Sequence, residues 1–314
     1  VVGETARSAN WALSGYARET TPQLAQLAQL AQPAVINFSD VTACGTSTEV
    51  SLPCMFAPVG RRRYDEARIR GSESLLHVAA RAGVAVQWRD NQSGCKGVCD
   101  GLPSDKLNAA NSPGLCHDGR CWDEGLLRGL EERLTALHGG RATQLLVLHM
   151  LGNHGPSYGR RYPPAFERFT PACHNDDLGQ CTQAEIVNAY DNALLYTDHV
   201  LAELIGRLAA HAASVDSAML YVSDHGESLG EKGLFLHGVP YAIAPREQTQ
   251  VPMVFWRSDG FARSAALDGN CLRERAKAPV AHDHVFHTLL ALLDVKTSLY
   301  EGAFDLTHAC RATH

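Results

Sequence analysis

Apolar positions fall into two spacings that alternate along the chain: short continuous runs, and stretches in which they recur every three or four residues. The runs VVGET (1–5), AVINFSDVT (34–42), VAVQW (84–88), TQLLVLHML (143–151), SAMLYVSDHG (217–226) and VPMVFW (251–256) have the length and β-branched content of strands. Helical spacing appears between them. Thr21–Gln32 repeats Leu24, Leu27 and Leu30 and is stopped by Pro33, Ser72–Ala82 turns Leu75, Leu76 and Ala79 inward before Gly83, and Glu124–His138 closes on Gly139 and Gly140. Thr182 and Glu185 form a capping box ahead of a long helix with Ile186, Tyr190, Ala193, Leu194, Thr197, Leu201, Leu204 and Leu208 on one face. A last helix is predicted over Ala281–Leu293, and the charged segment 58–70 reads as a surface loop. The alternation predicts an α/β fold with a mostly parallel central sheet flanked by helices. No linker divides the chain, so residues 1–314 are expected to form a single domain.

Composition narrows the partners. The chain is 45% hydrophobic and carries 28 Lys and Arg against 34 Asp and Glu, a net charge of −6, with its basic residues dispersed except for the run at 61–63. Nucleic acid needs a concentrated positive face and is excluded as a partner. The apolar runs are too short to span a bilayer. The start at VVGET, with neither an initiator Met nor a signal segment, reads as a domain cut from a longer protein. Ten cysteines, at 44, 54, 95, 99, 116, 121, 173, 181, 271 and 310, form four close sequential pairs, which points to local disulfides in an oxidising compartment such as a periplasm rather than to structural zinc. Cys271 and Cys310 pair by elimination.

Candidate chemistry gathers where strands end, which is where open α/β sheets bind ligands. Glu4 ends the first strand, His154 follows the most apolar one, and Asp224, His225 and Glu227 follow the next, with His237 beside a glycine turn further on. Carboxylate oxygens and imidazole nitrogens form a zinc ligand set. The stretch CGTSTEVSLPC places Thr46, Ser47 and Thr48 where a loop tips into a helix, so that a hydroxyl there is either a cap or a nucleophile activated by metal.

VVGETAR, CGTSTEVSLPCMF, NHGPSYGRRYP and SDHGESLGEKGLFLHGVPY together resemble the catalytic part of the lipid A phosphoethanolamine transferases, the group that includes the colistin-resistance enzymes. The resemblance spans essentially the whole chain. It implies an alkaline phosphatase/sulfatase-like fold at the periplasmic face of the bacterial inner membrane, preceded in the full-length protein by a membrane domain missing from this chain. It implies one tight Zn2+ held by Glu4, Thr48, Asp224 and His225, a second near His154 and His237, and Thr48 as the nucleophile. Lys96, His154 and His237 are then catalytic, and Gln92, Lys96, His149, His154, Glu227 and His237 bind substrate, with Thr46 and Ser47 left as turn and capping residues. Phosphatidylethanolamine is the implied donor and lipid A phosphate the acceptor, with polymyxin resistance as the outcome and a monomer as the working unit. Gln92 stands where relatives have Asn, the LAQLAQLAQ stretch is longer, and the Cys95–Cys99 clip is not general to the family. Rival readings are a phosphoglycerol transferase or a metal-dependent phosphatase of the same fold, and a zinc-binding module without turnover. The C/S-x-P-x-R context that sulfatases modify does not occur.

Overall fold

The computed structural model describes residues 1–30, 35–117, 119–140 and 142–312. Among these, seven strands form one sheet: β1 (Val2–Gly3), β2 (Ile36–Phe38), β3 (Ala85–Asp90), β4 (Ser104–Lys106), β5 (Gln144–His149), β6 (Ala218–Ser223) and β7 (Met253–Arg257), in the spatial order β2-β7-β6-β1-β5-β3-β4. β1 pairs in parallel with β5 and β6, and β3 in parallel with β5 and β4, while β7 runs antiparallel to both β6 and β2. The predicted mostly parallel sheet is therefore present. The reversal at β7 was not visible in VPMVFW, because a strand buried on both faces has the same pattern in either direction.

Both faces of the sheet are covered, as the continuous runs require. Met253 and Phe255 face one core, where Leu75, Leu76, Phe286 and Leu290 pack, and the alternate residues Val254 and Trp256 face the other, against Ile186, Leu194, Leu201 and Leu204. The helices over the first core are α2 (Thr48–Met55), α4 (Leu75–Arg81) and α7 (Asp283–Leu292), and the second is covered by α6 (Gln183–Ala210) with α5 (Leu130–Ala136) and α1 (Pro22–Ala28). α6 begins at the predicted capping box: Thr182 Oγ1 accepts from the Glu185 amide, and Glu185 Oε2 accepts from the Thr182 amide at 2.7 Å.

Several predicted elements are shorter than their periodicity suggests. The helix expected from Thr21 ends at Ala28, and its proposed stop at Gln32 and Pro33 lies outside the described residues. The run 34–42 breaks after Phe38 into a second short strand, Val41–Thr42. The helix expected over Glu124–His138 is a 3-10 turn, Asp123–Leu127, followed by α5, because Gly129 takes φ +70° between them. Segment 58–70 is not all loop: α3 (Glu66–Arg70) forms there, capped by Asp65, whose carboxylate accepts from the Arg68 amide. The five disulfides join Cys44–Cys54, Cys95–Cys99, Cys116–Cys121, Cys173–Cys181 and Cys271–Cys310, as the spacing and elimination predicted. No helix among the described residues is long and apolar enough to cross a membrane.

Candidate active site

The strand order β6-β1-β5 places three strand ends side by side, and the polar residues that follow them converge there. Glu4 follows β1, Asp224 and His225 follow β6, and the turn after β5 leads to His154. Gly152 makes the close approach possible. At φ +50° a Cβ on it would lie 2.7 Å from the Glu4 carbonyl oxygen, the same oxygen that accepts from the Asn153 amide at 2.9 Å.

Glu4, Asp224 and His225 are fully buried, and one ligand atom from each lies within 4.8 Å of the others. His225 Nε2 is 3.4 Å from Glu4 Oε1 and 3.5 Å from Asp224 Oδ2. Its Nδ1 donates to the Gly226 carbonyl at 2.8 Å, which leaves the Nε2 lone pair facing the carboxylates in the neutral tautomer. Asp224 Oδ1 accepts from the Thr5 and His225 amides, while buried Oδ2 has no hydrogen-bond partner among the described residues.

The electrostatics show a cluster short of positive charge. Burial and the neighbouring Glu4 charge push Asp224 up to about 6. Burial works to lower His225, but the charges of Asp224 and Glu4 overcome it and raise the imidazole to about 10. Glu4 is held well below the usual carboxylate range: burial opposes this, and the hydrogen bond and charge of His225 outweigh burial. Two buried carboxylates, an imidazole lone pair and an orphaned carboxylate oxygen suit a divalent cation such as zinc, which would provide the missing charge.

Thr48 joins the cluster from α2. It is the first residue of the helix, 7% exposed, and its Oγ1 donates to Glu4 Oε2 at 3.0 Å and lies 3.4 Å from His225 Nε2. The Cys44–Cys54 disulfide ties the loop before the helix to the helix itself. The capping role expected of Thr46 and Ser47 is not what they do. Ser47 occupies the N-cap position without a side-chain cap bond, and Thr46 Oγ1 donates instead to the Val239 carbonyl at 2.7 Å, fastening this loop to the segment after His237.

The remaining predicted residues divide by position. The His237 ring lies 4.3 Å from that of His225 and 5.8 Å from that of His154, and its Nδ1 is 3.1 Å from Oε1 of buried Glu227. Lys96 Nζ donates to Ser93 Oγ at 2.8 Å and lies 3.6 Å from the carboxylate of Glu49, the residue after Thr48. Gln92 donates from Nε2 to Glu4 Oε2 at 2.8 Å, so its amide points at the carboxylate cluster. His149, also among the residues expected to bind substrate, is fully buried. Its Nδ1 is 2.8 Å from Asp90 Oδ1 and its ring packs edge-on to Trp88, because its place at the end of a central strand turns it into the core.

Two buried aspartates brace the site and were missed by sequence reasoning. Asp90 accepts from the Gly94 amide and so holds the loop carrying Gln92, while Asp123 accepts from the Leu151 and Gly152 amides and Asn91 Nδ2 and so holds the turn leading to His154. Asp90 could have been suspected from its place at the end of the VAVQW run. Nothing local distinguishes Asp123.

A family model described as sulfatase matches residues 1–295. The phosphoethanolamine transferase EptA of Escherichia coli strain K12 is 44% identical over 312 residues, covering 99% of this chain and 55% of that protein. The phosphatidylethanolamine transferase Mcr-2 of Escherichia coli is 45% identical over 302 residues, covering 94% and 53%. The crystal structure of the soluble domain of lipooligosaccharide phosphoethanolamine transferase A from Neisseria meningitidis superposes with a TM-score of 0.93 at 43% identity, covering 99% of this chain and 92% of that one. The chain spans about half the length of the curated relatives it matches.

Proposed function

The chain belongs to the sulfatase family, and from that premise we propose that it is the catalytic part of a zinc-dependent enzyme that moves phosphoethanolamine from phosphatidylethanolamine to a lipid A phosphate. The observation that carries this reading is the Thr48 hydroxyl, held at a helix entrance with its oxygen 3.0 Å from Glu4 and 3.4 Å from His225. A sulfatase would need the C/S-x-P-x-R context that this sequence lacks, and a binding module has no use for a hydroxyl among ligands. The working site would lie at the periplasmic face of the inner membrane, in keeping with five disulfides and with solved relatives described as an integral membrane protein and as a C-terminal periplasmic domain. Residues 1–314 would act as one monomeric catalytic domain beside a membrane part.

Glu4, Asp224, His225 and Thr48 would hold the zinc, which supplies charge that stabilises the Thr48 alkoxide and polarises the phosphoryl oxygens. Thr48 Oγ1 attacks the donor phosphorus, the bond from phosphorus to the diacylglycerol oxygen breaks, and phosphoethanolamine remains on Thr48. His237, oriented by Glu227, is placed to give the leaving oxygen its proton. His154 is held below its usual range by burial and by the charges of Arg161 and His237, against the pull of Glu4, so it stays neutral and able to take a proton from the acceptor phosphate as that oxygen attacks the intermediate, the bond from phosphorus to Thr48 Oγ1 breaks and the threonine is regenerated. Lys96 would neutralise phosphoryl charge from the Thr48 side, and a second zinc near His154 and His237 is part of the proposal.

Intact-mass analysis after incubation with phosphatidylethanolamine tests this reading, with a phosphoethanolamine adduct expected on Thr48 and absent from Thr48→Ala. An adduct that persists in Thr48→Ala would overturn the nucleophile assignment, and a phosphoglycerol mass would overturn the donor.

A further inference from the structure

The segment NHGPSYGRRYP carries two arginines, Arg160 and Arg161, neither of which touches substrate in the mechanism above, Arg161 entering it only through its charge on His154. Arg161 is 7% exposed and follows the short 3-10 turn Tyr158–Arg160. Its Nε donates to the carbonyl oxygen of His154, and no carboxylate of the described residues pairs with its guanidinium. The carboxylates that attract it from a distance are otherwise engaged. Asp123 is spent on Asn91 and two backbone amides, Glu4 belongs to the metal cluster, and Asp176 lies 3.5 Å from Arg160 Nε. Arg120, exposed on the hairpin closed by Cys116–Cys121, adds a second positive charge nearby, and together with burial it pushes the Arg161 guanidinium down to about 10. A buried guanidinium without an anion is costly to maintain, and its planar fork matches a phosphate oxygen pair better than a lysine does.

We propose that Arg161, flanked by Arg120, forms an anion subsite beside His154 that receives the phosphate monoester of an acceptor sugar, an assignment that rests on the transfer reading above. Its position fits the acceptor. In-line transfer brings the acceptor oxygen in on the side of phosphorus away from Thr48 Oγ1, and Lys96 is tethered to Glu49 next to Thr48 whereas Arg161 is tethered to His154. The residue that takes the acceptor's proton and the residue that grips its phosphate are thus bonded to each other.

Calorimetric titration of the zinc-loaded chain with glucosamine 1-phosphate, O-phosphoethanolamine and inorganic phosphate tests the subsite without any turnover, so failure of the covalent mechanism would not be mistaken for failure of the subsite. Arg161→Gln is expected to weaken glucosamine 1-phosphate about tenfold and O-phosphoethanolamine less than about twofold, with Arg161→Lys between. Because Arg161→Gln also removes the bond to His154, Arg120→Gln on the exposed hairpin is the companion variant, expected to weaken the sugar phosphate about threefold with the fold intact. The proposal is overturned if the unaltered chain does not bind glucosamine 1-phosphate, if both variants bind it as well as the unaltered chain, if O-phosphoethanolamine weakens equally, or if inorganic phosphate binds as tightly as the sugar phosphate.

Discussion

Gln92 Nε2 donates a 2.8 Å hydrogen bond to Oε2 of Glu4, the oxygen that also accepts from Thr48 Oγ1 at 3.0 Å. The amide therefore fixes the rotation of a carboxylate in the metal cluster, and Gln92 is itself aimed because its Oε1 accepts from the Ser93 amide. Partners outside a metal's own ligand set typically alter its affinity by tenfold or more. Gln92→Leu is expected to weaken zinc binding about tenfold in chelator competition, with a smaller loss for Gln92→Asn. Unchanged zinc affinity in Gln92→Leu would return Gln92 to a purely substrate-facing role.

Asp224 carries the orphaned oxygen, and burial and the Glu4 charge raise its pKa, so its charge is a burden until a cation arrives. Asp224→Asn should leave the metal-free chain at least as stable as the unaltered one while abolishing the zinc-induced rise in Tm. In the unaltered chain, zinc at about a thousand times its Kd should add roughly 4 kcal/mol. A metal-free Asp224→Asn chain that melts well below the unaltered one would contradict this account of the cluster.

His282 is buried with both ring nitrogens engaged, Nε2 donating to the Ser223 carbonyl at 2.9 Å and Nδ1 accepting from the Cys44 amide at 3.1 Å. Burial lowers it to about 3, outweighing the pull of the Ser223 carbonyl, so the folded chain binds fewer protons here than the unfolded chain below about pH 6.5. Stability should fall as pH drops through that window, with His282 contributing up to about 1.4 kcal/mol per pH unit. Urea unfolding of His282→Gln should show a correspondingly shallower slope between pH 6 and pH 4, the span in which the unfolded imidazole is already protonated and the folded one is not. Parallel slopes for the two proteins would be the contrary result.

Thr182 caps α6 through the Glu185 amide. Thr182→Ala is expected to cost about 1 kcal/mol in urea unfolding, with no change in zinc affinity because the cap is part of a helix end and not of the metal cluster.

Much of this was readable along the chain. The continuous apolar runs marked the strands because a strand covered on both faces has no polar side, and the capping box marked α6 because its bonds are local. Glu4, Asp224 and His225 were readable from their positions just beyond those runs. His149 also stands at a strand end, and only the tertiary structure shows that its Nδ1 faces Asp90 while its Nε2 has no hydrogen-bond partner among the described residues.

The sequence by itself determined the strands, the long helix, four of the disulfides and the residue types available for chemistry, since each of these depends on neighbours within a turn or a loop, and the fifth disulfide, Cys271–Cys310, followed by elimination. Only the tertiary structure decided the strand order β6-β1-β5, which unites Glu4 with Asp224 and His225 across more than two hundred residues, and the approach of Gln92, Asp123 and Arg161 to that centre. These depend on which strands lie side by side and which way each side chain points once both faces of the sheet are covered, and neither is encoded at short range.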